Sequence, residues 1–215
     1  MHVRTSTVAD GDFHLEVDPR VLHHRRQAFM DGPWTQLDEV HGTDVVVVTR
    51  PGEHDRAVAD AAVTRVPGAV LSVWVGDCAP VVLLGDSDDG RPVVAGAHAG
   101  WKGALDGVLE RTVSAMHATG TVAVLGPCIH GCCNEFGADL LARFVDRFGP
   151  QVAATTTWGT PSLHLPAVVR AALDAAGVDE VIEATACTRC DERWFSHRRG
   201  DAGRHVMCVR MMEAR

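Results

Sequence analysis

Two histidines and one cysteine, His41, Cys78 and His98, are residues that could do chemistry together. Two imidazoles and one thiolate form a three-ligand set that suits zinc and leaves a fourth position for water or substrate. Copper accepts the same ligand types. The three residues lie too far apart along the chain for a compact zinc-finger pattern. From spacing alone, two unrelated loop histidines and a buried thiol are the simpler interpretation.

A cysteine nucleophile is a second interpretation of the same residues. Cys78 would attack the substrate, His98 would act as its base, and Asp77 or Asp60 would orient the imidazole. A stoichiometric zinc ion would occupy the thiolate and exclude this chemistry. Bound metal is therefore the observation that distinguishes the two interpretations.

The remaining loop cysteines could form a second site. They are Cys128, Cys132, Cys133, Cys187 and Cys190. Cys187 and Cys190 form a C-x-x-C, which together with Cys128 or Cys132 could make a structural zinc site or a redox pair. Thiols packed under loops are the alternative.

Basic and aromatic side chains could bind an anion and a ring. Lys102 falls in the first turn of a predicted helix, where a cation opposes the helix dipole, so its position favours an anion contact. Arg198 and Arg199 could hold phosphate bidentately, although a solvated surface charge is the alternative for each. Trp101 and Phe195 could stack on a purine or phenolic ring.

Strand ends are predicted to position the three candidate ligands. His98 leaves a strand over 93–97 and precedes a helix predicted over 103–119, which would stop at Gly120. His41 lies on a loop that enters the strand over 45–48. Cys78 lies in a kink between strands over 69–76 and 81–84. Unpaired backbone N–H groups make such ends common ligand sites.

The other predicted elements indicate an α+β fold. We predict a short strand over 13–17 with a short helix after it, strands over 122–125, 181–186 and 205–211, and helices over 140–148 and 165–176, with Cys208 as a core thiol. Several strands follow one another without helices between them. Mixed β-sheets flanked by helices, in a single domain over 1–215, are therefore expected.

Composition limits the partners of the protein. The net charge of −8 argues against nucleic-acid binding, but not against small anionic ligands. A stretch of about 18 apolar residues is absent, so we expect no membrane span. The N-terminal residues lack the apolar core of a signal peptide, and the cysteine count of seven is odd. Free thiols or metal ligands in a cytoplasmic protein are therefore expected.

Seven segments together resemble one bacterial family, over about residues 40–209. They are Val40-His41-Gly42, Asp77-Cys78-Ala79-Pro80, Ala97-His98-Ala99-Gly100-Trp101-Lys102-Gly103, Gly126-Pro127-Cys128-Ile129, Cys132-Cys133, Cys187-Thr188-Arg189-Cys190 and Phe195-Ser196-His197-Arg198-Arg199. The family was first described as multicopper polyphenol oxidases, or laccases, and later as purine nucleoside phosphorylases. Its fold is related to that of toxin-type cysteine hydrolases, which keeps the Cys78 nucleophile open.

The resemblance implies a zinc ion on His41, Cys78 and His98. It also implies phosphorolysis of adenosine, inosine and methylthioadenosine to the free base and a ribose 1-phosphate, together with adenosine deamination. Proton donors to the leaving base would be sought among Asp60, Asp77 and His130. A monomer or homodimer is expected.

This chain departs from the family pattern at four positions around the expected pocket. Glu39 replaces a glutamine, His130 a glycine, and Asn134 and His197 each a tyrosine. Two further functions stay open beside the phosphorylase. One is a copper-dependent polyphenol oxidase, for which a single three-ligand cluster offers too few copper ligands. The other is a zinc-stabilised accessory protein without catalytic activity.

Overall fold

Two β-sheets stacked face to face form the centre of the fold, and helices cover both outer faces. The computed structural model describes residues 1–183 and 186–212. In chain order the elements are β1 (His2–Thr5), α1 (Pro19–Phe29), β2 (Trp34–Gln36), β3 (Val45–Val48), β4 (Ala61–Thr64), β5 (Val70–Val75), β6 (Ala79–Ser87), β7 (Pro92–Ala99), α2 (Trp101–Asp106), α3 (Val108–Met116), β8 (Ala118–Leu125), α4 (Ala138–Phe148), β9 (Ala153–Thr155), β10 (Pro161–Leu163), α5 (Leu165–Ala175), β11 (Glu180–Glu183) and β12 (His205–Arg210).

Both large sheets are mixed. The six-stranded sheet has the order β11-β8-β6-β7-β4-β3, and the four-stranded sheet has the order β1-β12-β5-β2. Strand β6 pairs antiparallel with β7 and β8, whereas β3 with β4, β8 with β11, and β2 with β5 pair parallel. Strands β9 and β10 form a separate hairpin. The expected α+β class with mixed sheets is confirmed.

Apolar side chains fill three layers between these elements. Leu71 and Met207 of the four-stranded sheet pack with Val82 and Val94 of the six-stranded sheet. Helices α2 to α5 bury their apolar residues on the other face of the six-stranded sheet. Helix α1 covers the four-stranded sheet through a cluster that includes Phe29. Within residues 1–183 and 186–212, no helix is long and apolar enough to cross a membrane.

The helix predicted over 103–119 is two helices, so this prediction is wrong in its extent. Gly107 has φ +99° and ψ 31°, a left-handed conformation that glycine adopts without strain, and it separates α2 from α3. Helix α3 ends at Met116 because His117 turns left-handed with φ 44°. Gly120 lies inside β8 and does not stop the helix.

The strand predicted over 13–17 is also wrong, whereas the helix after it is confirmed as α1. The segment turns because the Asp12 carboxylate accepts hydrogen bonds from His14 N and Arg204 N, both at 2.8 Å. Val17 N then donates to His14 O at 3.1 Å. Asp18 caps α1 by accepting from two backbone N–H groups. Local polar contacts therefore override the alternating apolar pattern.

The other predicted elements agree with the structure. Strands β3, β5, β6, β7 and β8 and helices α4 and α5 occur where they were expected. Strand β11 is described over Glu180–Glu183, and residues 184–185 of its predicted range lie outside the described residues. Cys208 is fully buried in β12, as predicted.

His205 at the start of β12 makes stability depend on pH. Burial lowers the pKa of this fully buried imidazole to about 4. The unfolded chain binds a proton near pH 6.5, so the contribution of neutral His205 is complete above that pH and is lost as the pH falls toward 4. Relative to a His205→Leu variant, we expect the wild type to lose about 2 kcal/mol of unfolding free energy between pH 7 and pH 5. Urea unfolding of both proteins at each pH measures this, and equal losses would contradict the assignment.

Candidate metal centre

His41, Cys78 and His98 come together as predicted. Their ligand atoms all lie within 4.8 Å of one another. Cys78 Sγ is 3.6 Å from His41 Nε2, and the two imidazole centroids are 4.8 Å apart. Zinc binds nitrogen and thiolate ligands at about 2.0–2.3 Å, so atoms at this separation fit around one ion. The cluster therefore provides two nitrogens and one sulfur for a metal ion.

The passage of the chain from one sheet to the other explains this meeting. The connection from β2 to β3 and the connection from β5 to β6 both run from the four-stranded to the six-stranded sheet. His41 lies on the first connection and Cys78 on the second. His98 lies near the end of β7, where it pairs with Pro80 of β6. The site therefore forms at the edge where the two sheets exchange strands.

Asp60 organises both histidine ligands. Its Oδ1 lies 2.8 Å from His98 Nδ1 and accepts a hydrogen bond from His41 N at 2.8 Å, while Oδ2 accepts from Gly42 N at 2.7 Å. Burial on its own raises the pKa of Asp60, but the hydrogen bonds of His98 and Gly42 lower it. The ionised carboxylate only accepts, so Nδ1 of His98 carries the proton and Nε2 is left as the ligand atom. This is the carboxylate–histidine–metal arrangement of many metal sites.

Two glycines after His98 allow the histidine loop to approach closely. A Cβ on Gly100 would lie 2.3 Å from His41 Cδ2 and 3.3 Å from Cys78 Sγ. A Cβ on Gly103 would lie 2.7 Å from Gly42 O. A Cβ does not approach a non-bonded atom as closely as 2.3 or 2.7 Å. The start of α2 therefore packs on the His41 loop only because both positions lack a side chain.

Charge at the centre favours the thiolate form of Cys78. Burial on its own raises the pKa of this thiol, but the charge of His98 and a hydrogen bond with His41 lower it to about 6. Burial on its own lowers the pKa of His98, but the charges of Glu39 and Cys78 raise it well above the usual range. A thiolate is the form that binds metal.

Glu39 is a neighbour of the site at one of the positions where this chain departs from the family pattern. Its Oε2 lies 3.7 Å from His98 Nδ1, and its Oε1 accepts a hydrogen bond from Trp74 N at 3.1 Å. Burial raises the pKa of this carboxyl to about 8. Its only signal in the sequence was its place next to the Val-His-Gly segment, where it replaces a glutamine.

A cavity of about 460 Å³ opens next to the three ligands. This volume lies within the usual range of small-molecule sites. Of the other predicted site residues, Trp101, Asp77 and Arg198 line it. Three of the four positions expected around the pocket, Glu39, Asn134 and His197, also line it. Lining residues that were not expected there include His14, Trp74, Ile129, Leu165 and Arg204. They come from distant parts of the chain, so no local spacing could have grouped them.

Asp77 ties the cysteine loop to two later segments. Its Oδ1 accepts from Thr188 Oγ1 at 2.6 Å, and its Oδ2 accepts from Arg198 N at 2.7 Å. Asp77 also adopts φ 100°, which is unusual for a residue with a side chain. The predicted role of orienting His98 falls to Asp60, while Asp77 holds the loops around the cavity.

Three predicted binding residues and one suggested proton donor lie outside the cavity lining. Lys102 is exposed and pairs with Asp106 at 3.1 Å. Arg199 donates to the Thr188 carbonyl at 2.8 Å and so supports a loop. Phe195 lines a separate surface pocket, and His130 lies beyond the lining. A short distance along the chain to site residues therefore does not place these four side chains in the cavity lining.

The other suggested proton donors already use their carboxylates. Both oxygens of Asp60 and both oxygens of Asp77 accept hydrogen bonds from the protein. Both carboxylates are therefore engaged in holding loops of the protein together.

Comparison with known proteins identifies the family. The family described as multi-copper polyphenol oxidoreductase laccase matches residues 6–212. A purine nucleoside phosphorylase of Streptomyces coelicolor is 40% identical over 169 residues, covering 76% of this chain and 68% of that protein. Another of Corynebacterium glutamicum is 32% identical over 213 residues, covering 93% and 85%. The crystal structure of Neisseria meningitidis protein NMB0706 superposes with a TM-score of 0.82 at 29% identity, covering 94% of this chain and 86% of that one.

These matches extend over nearly the whole chain and agree with the resemblance seen in its motifs. The protein is therefore an enzyme that belongs to the laccase-like polyphenol oxidoreductase family, among relatives named purine nucleoside phosphorylase.

Proposed function

We propose that this enzyme is a zinc-dependent purine nucleoside phosphorylase that acts on adenosine, inosine and methylthioadenosine. The observation that carries the proposal is an open set of three metal ligands at the wall of a 460 Å³ cavity that has both aromatic and cationic lining. The names of the relatives from Streptomyces coelicolor and Corynebacterium glutamicum support the same activity.

His41, Cys78 and His98 would hold the zinc ion. A mixed set of two imidazoles and one thiolate suits zinc, and a free fourth position lets the ion polarise or orient a ligand. With its thiolate occupied by metal, Cys78 is a ligand and not a nucleophile. Copper is the alternative ion, but one cluster with three ligands is small for the several coppers that reduce dioxygen.

The cavity offers separate surfaces for the base and the phosphate. Trp101 is 40% exposed, and its ring packs edge-on against Phe136 with the two ring centroids 5.9 Å apart. A purine would stack on such a face. Arg198 lines the same cavity, and among the described residues its guanidinium hydrogen-bonds only to the carbonyl of Glu135, at 3.2 Å. A guanidinium has five N–H donors, so several stay available to phosphate.

The reaction would exchange one bond at the ribose. An oxygen of phosphate attacks C1′ while the bond from C1′ to the purine nitrogen breaks, and the electron pair leaves with the base. The proton that hydrogen phosphate loses ends on the base, which is released beside ribose 1-phosphate. Arg198 would hold phosphate and Trp101 the purine, so that the reacting atoms meet in a fixed geometry.

Product analysis tests the proposal. Zinc-loaded protein incubated with inosine and phosphate is expected to release hypoxanthine and ribose 1-phosphate in equal amounts, and nothing without phosphate. Free ribose would indicate hydrolysis of the nucleoside. Inosine formed from adenosine would show that the enzyme also has deaminase activity. The proposal would be overturned if the zinc-loaded protein released a base from none of the three nucleosides.

Replacing Arg198 by methionine tests the phosphate surface. A charged hydrogen-bond partner contributes about 2 kcal/mol, so the KM for phosphate should rise about 30-fold. Steady-state kinetics with varied phosphate measure this change. Arg143→Met, which removes an exposed arginine of α4, is the matched control and should leave the KM unchanged. An unchanged KM in Arg198→Met would exclude Arg198 as the phosphate ligand.

A further inference from the structure

Four cysteines form a second group of metal-ligand atoms, apart from the cavity. Cys132, Cys133, Cys187 and Cys190, here called the cysteine cluster, have Sγ atoms that all lie within 4.8 Å of one another. Cys190 Sγ is 3.3 Å from Cys133 Sγ and 3.8 Å from Cys132 Sγ. Four thiolates around a tetrahedral zinc ion, each bound at about 2.3 Å, lie about 3.8 Å apart. The cluster thus already has the size of a four-sulfur zinc site.

We propose that the cysteine cluster binds a second zinc ion, whose role is structural. Four thiolates close the coordination shell and leave no position for substrate, which is typical of structural zinc. Soft sulfur ligands in a tetrahedral set favour zinc among the common divalent ions. Binding converts four thiols to thiolates and releases their protons.

The backbone around the cluster is shaped as a metal site requires. In the C-x-x-C turn, the N–H groups of Cys190 and Asp191 both donate to Cys187 O at 3.0 Å. In the other loop, Cys133 N donates to His130 O at 3.0 Å. These two turns direct two thiols each toward one point.

Charge and hydrogen bonds around the sulfurs also suit thiolate ligands. His130 N donates to Cys187 Sγ at 3.4 Å, and Arg189 Nη1 lies 3.6 Å from Cys133 Sγ. Four thiolates exceed the charge of a zinc ion, and the guanidinium compensates part of the excess. Such contacts to metal-bound atoms orient ligands and tune their affinity.

The second zinc ion would stabilise one end of the cavity. The cluster joins the loop that follows β8 to the loop that follows β11. From these loops Ile129 N donates to Asp77 O at 2.9 Å and Thr188 Oγ1 donates to Asp77 Oδ1 at 2.6 Å. Asp77 directly precedes Cys78. The cluster therefore supports the segment that carries one ligand of the first site without contacting substrate.

Metal analysis of variants separates the two sites. The wild type is expected to contain about two zinc ions per chain, and His41→Ala/Cys78→Ala about one, which must then lie in the cluster. Cys187→Ser/Cys190→Ser should lose that ion. Cys128→Ala, which removes a buried cysteine outside the cluster, is the matched control and should keep both.

X-ray absorption of the His41→Ala/Cys78→Ala protein identifies the ligands without requiring a cysteine variant to fold. The proposal predicts four sulfur neighbours of zinc at about 2.3 Å. A zinc-free His41→Ala/Cys78→Ala protein would overturn it, as would a Cys133–Cys190 disulfide in the freshly purified protein. Neither result depends on nucleoside turnover, so this proposal can fail while the phosphorylase proposal holds.

Discussion

Replacing His98 by alanine is expected to remove the metal ion of the His41, Cys78 and His98 centre, and the activity with it, while the protein stays folded. His98 supplies one of three ligand atoms, and its imidazole is oriented by Asp60 at 2.8 Å. Loss of a residue that only orients a ligand costs about 10- to 100-fold in metal affinity or activity. Loss of the ligand itself should therefore reduce kcat/KM for inosine by at least about 100-fold. Zinc content and steady-state kinetics measure both effects.

The thermal unfolding of this variant distinguishes an enzyme site from a structural one. His23→Ala, which changes an exposed histidine of α1, is the matched control and should keep metal and activity. If the protein were instead a zinc-stabilised accessory protein, His98→Ala would unfold it, and the wild type would show no turnover. A folded His98→Ala protein with full activity would contradict the assignment of the centre.

Adding one methyl group at Gly100 is expected to damage the same centre from outside the ligand set. The new Cβ would lie 2.3 Å from His41 Cδ2, so the imidazole must move. Overpacking of this kind costs about 1–3 kcal/mol of stability. A displacement of about 1 Å at a reacting group can cost about 100-fold in rate. Gly100→Ala should therefore bind zinc more weakly and lose about 100-fold in kcat/KM.

Gly137→Ala is a close control for this change. Gly137 precedes α4 as Gly100 precedes α2, and the two residues have similar backbone angles, φ −65° and φ −68°. A Cβ on Gly137 meets no atom within 4 Å. Equal effects of the two substitutions would indicate a general cost of alanine before a helix, and would contradict the steric explanation.

The three candidate metal ligands could be predicted because each lies at or near the end of a strand and has a side chain that binds metals. Their meeting could not be predicted from spacing, since His41 and Cys78 lie on connections that cross between two sheets. Only the resemblance to a known family pointed to it. Periodicity records the apolar face of a helix, and it therefore identified α4 and α5. It does not record the backbone conformation of a single glycine, and it therefore missed the break between α2 and α3 at Gly107.

Residues that complete the site through tertiary contacts were the hardest to predict. Glu39 lies against His98, yet nothing in its local sequence marks its side chain as buried. Arg204 belongs to the segment before β12 and lines the cavity. Lys102 and Arg199 illustrate the opposite case, because local hydrogen bonds direct their side chains away from the cavity. Sequence spacing reports neither kind of contact.

Two carboxyl groups, those of Asp60 and Glu39, lie next to His98 and have different environments. Asp60 binds the histidine and the backbone of the His41 loop, and it is ionised. Burial raises the pKa of the Glu39 carboxyl to about 8. Asp60 would thus supply the negative charge that compensates a bound metal ion.

Restoring metal to stripped protein tests the central claim most directly. Protein freed of metal by a chelator is given zinc or copper, and hypoxanthine release from inosine and phosphate is measured at each occupancy. Zinc-dependent phosphorolysis predicts that release returns with zinc in step with occupancy of the His41, Cys78 and His98 site. Inosine left intact at full zinc occupancy would contradict it, and phenol oxidation by the copper-loaded protein would then favour the oxidase instead.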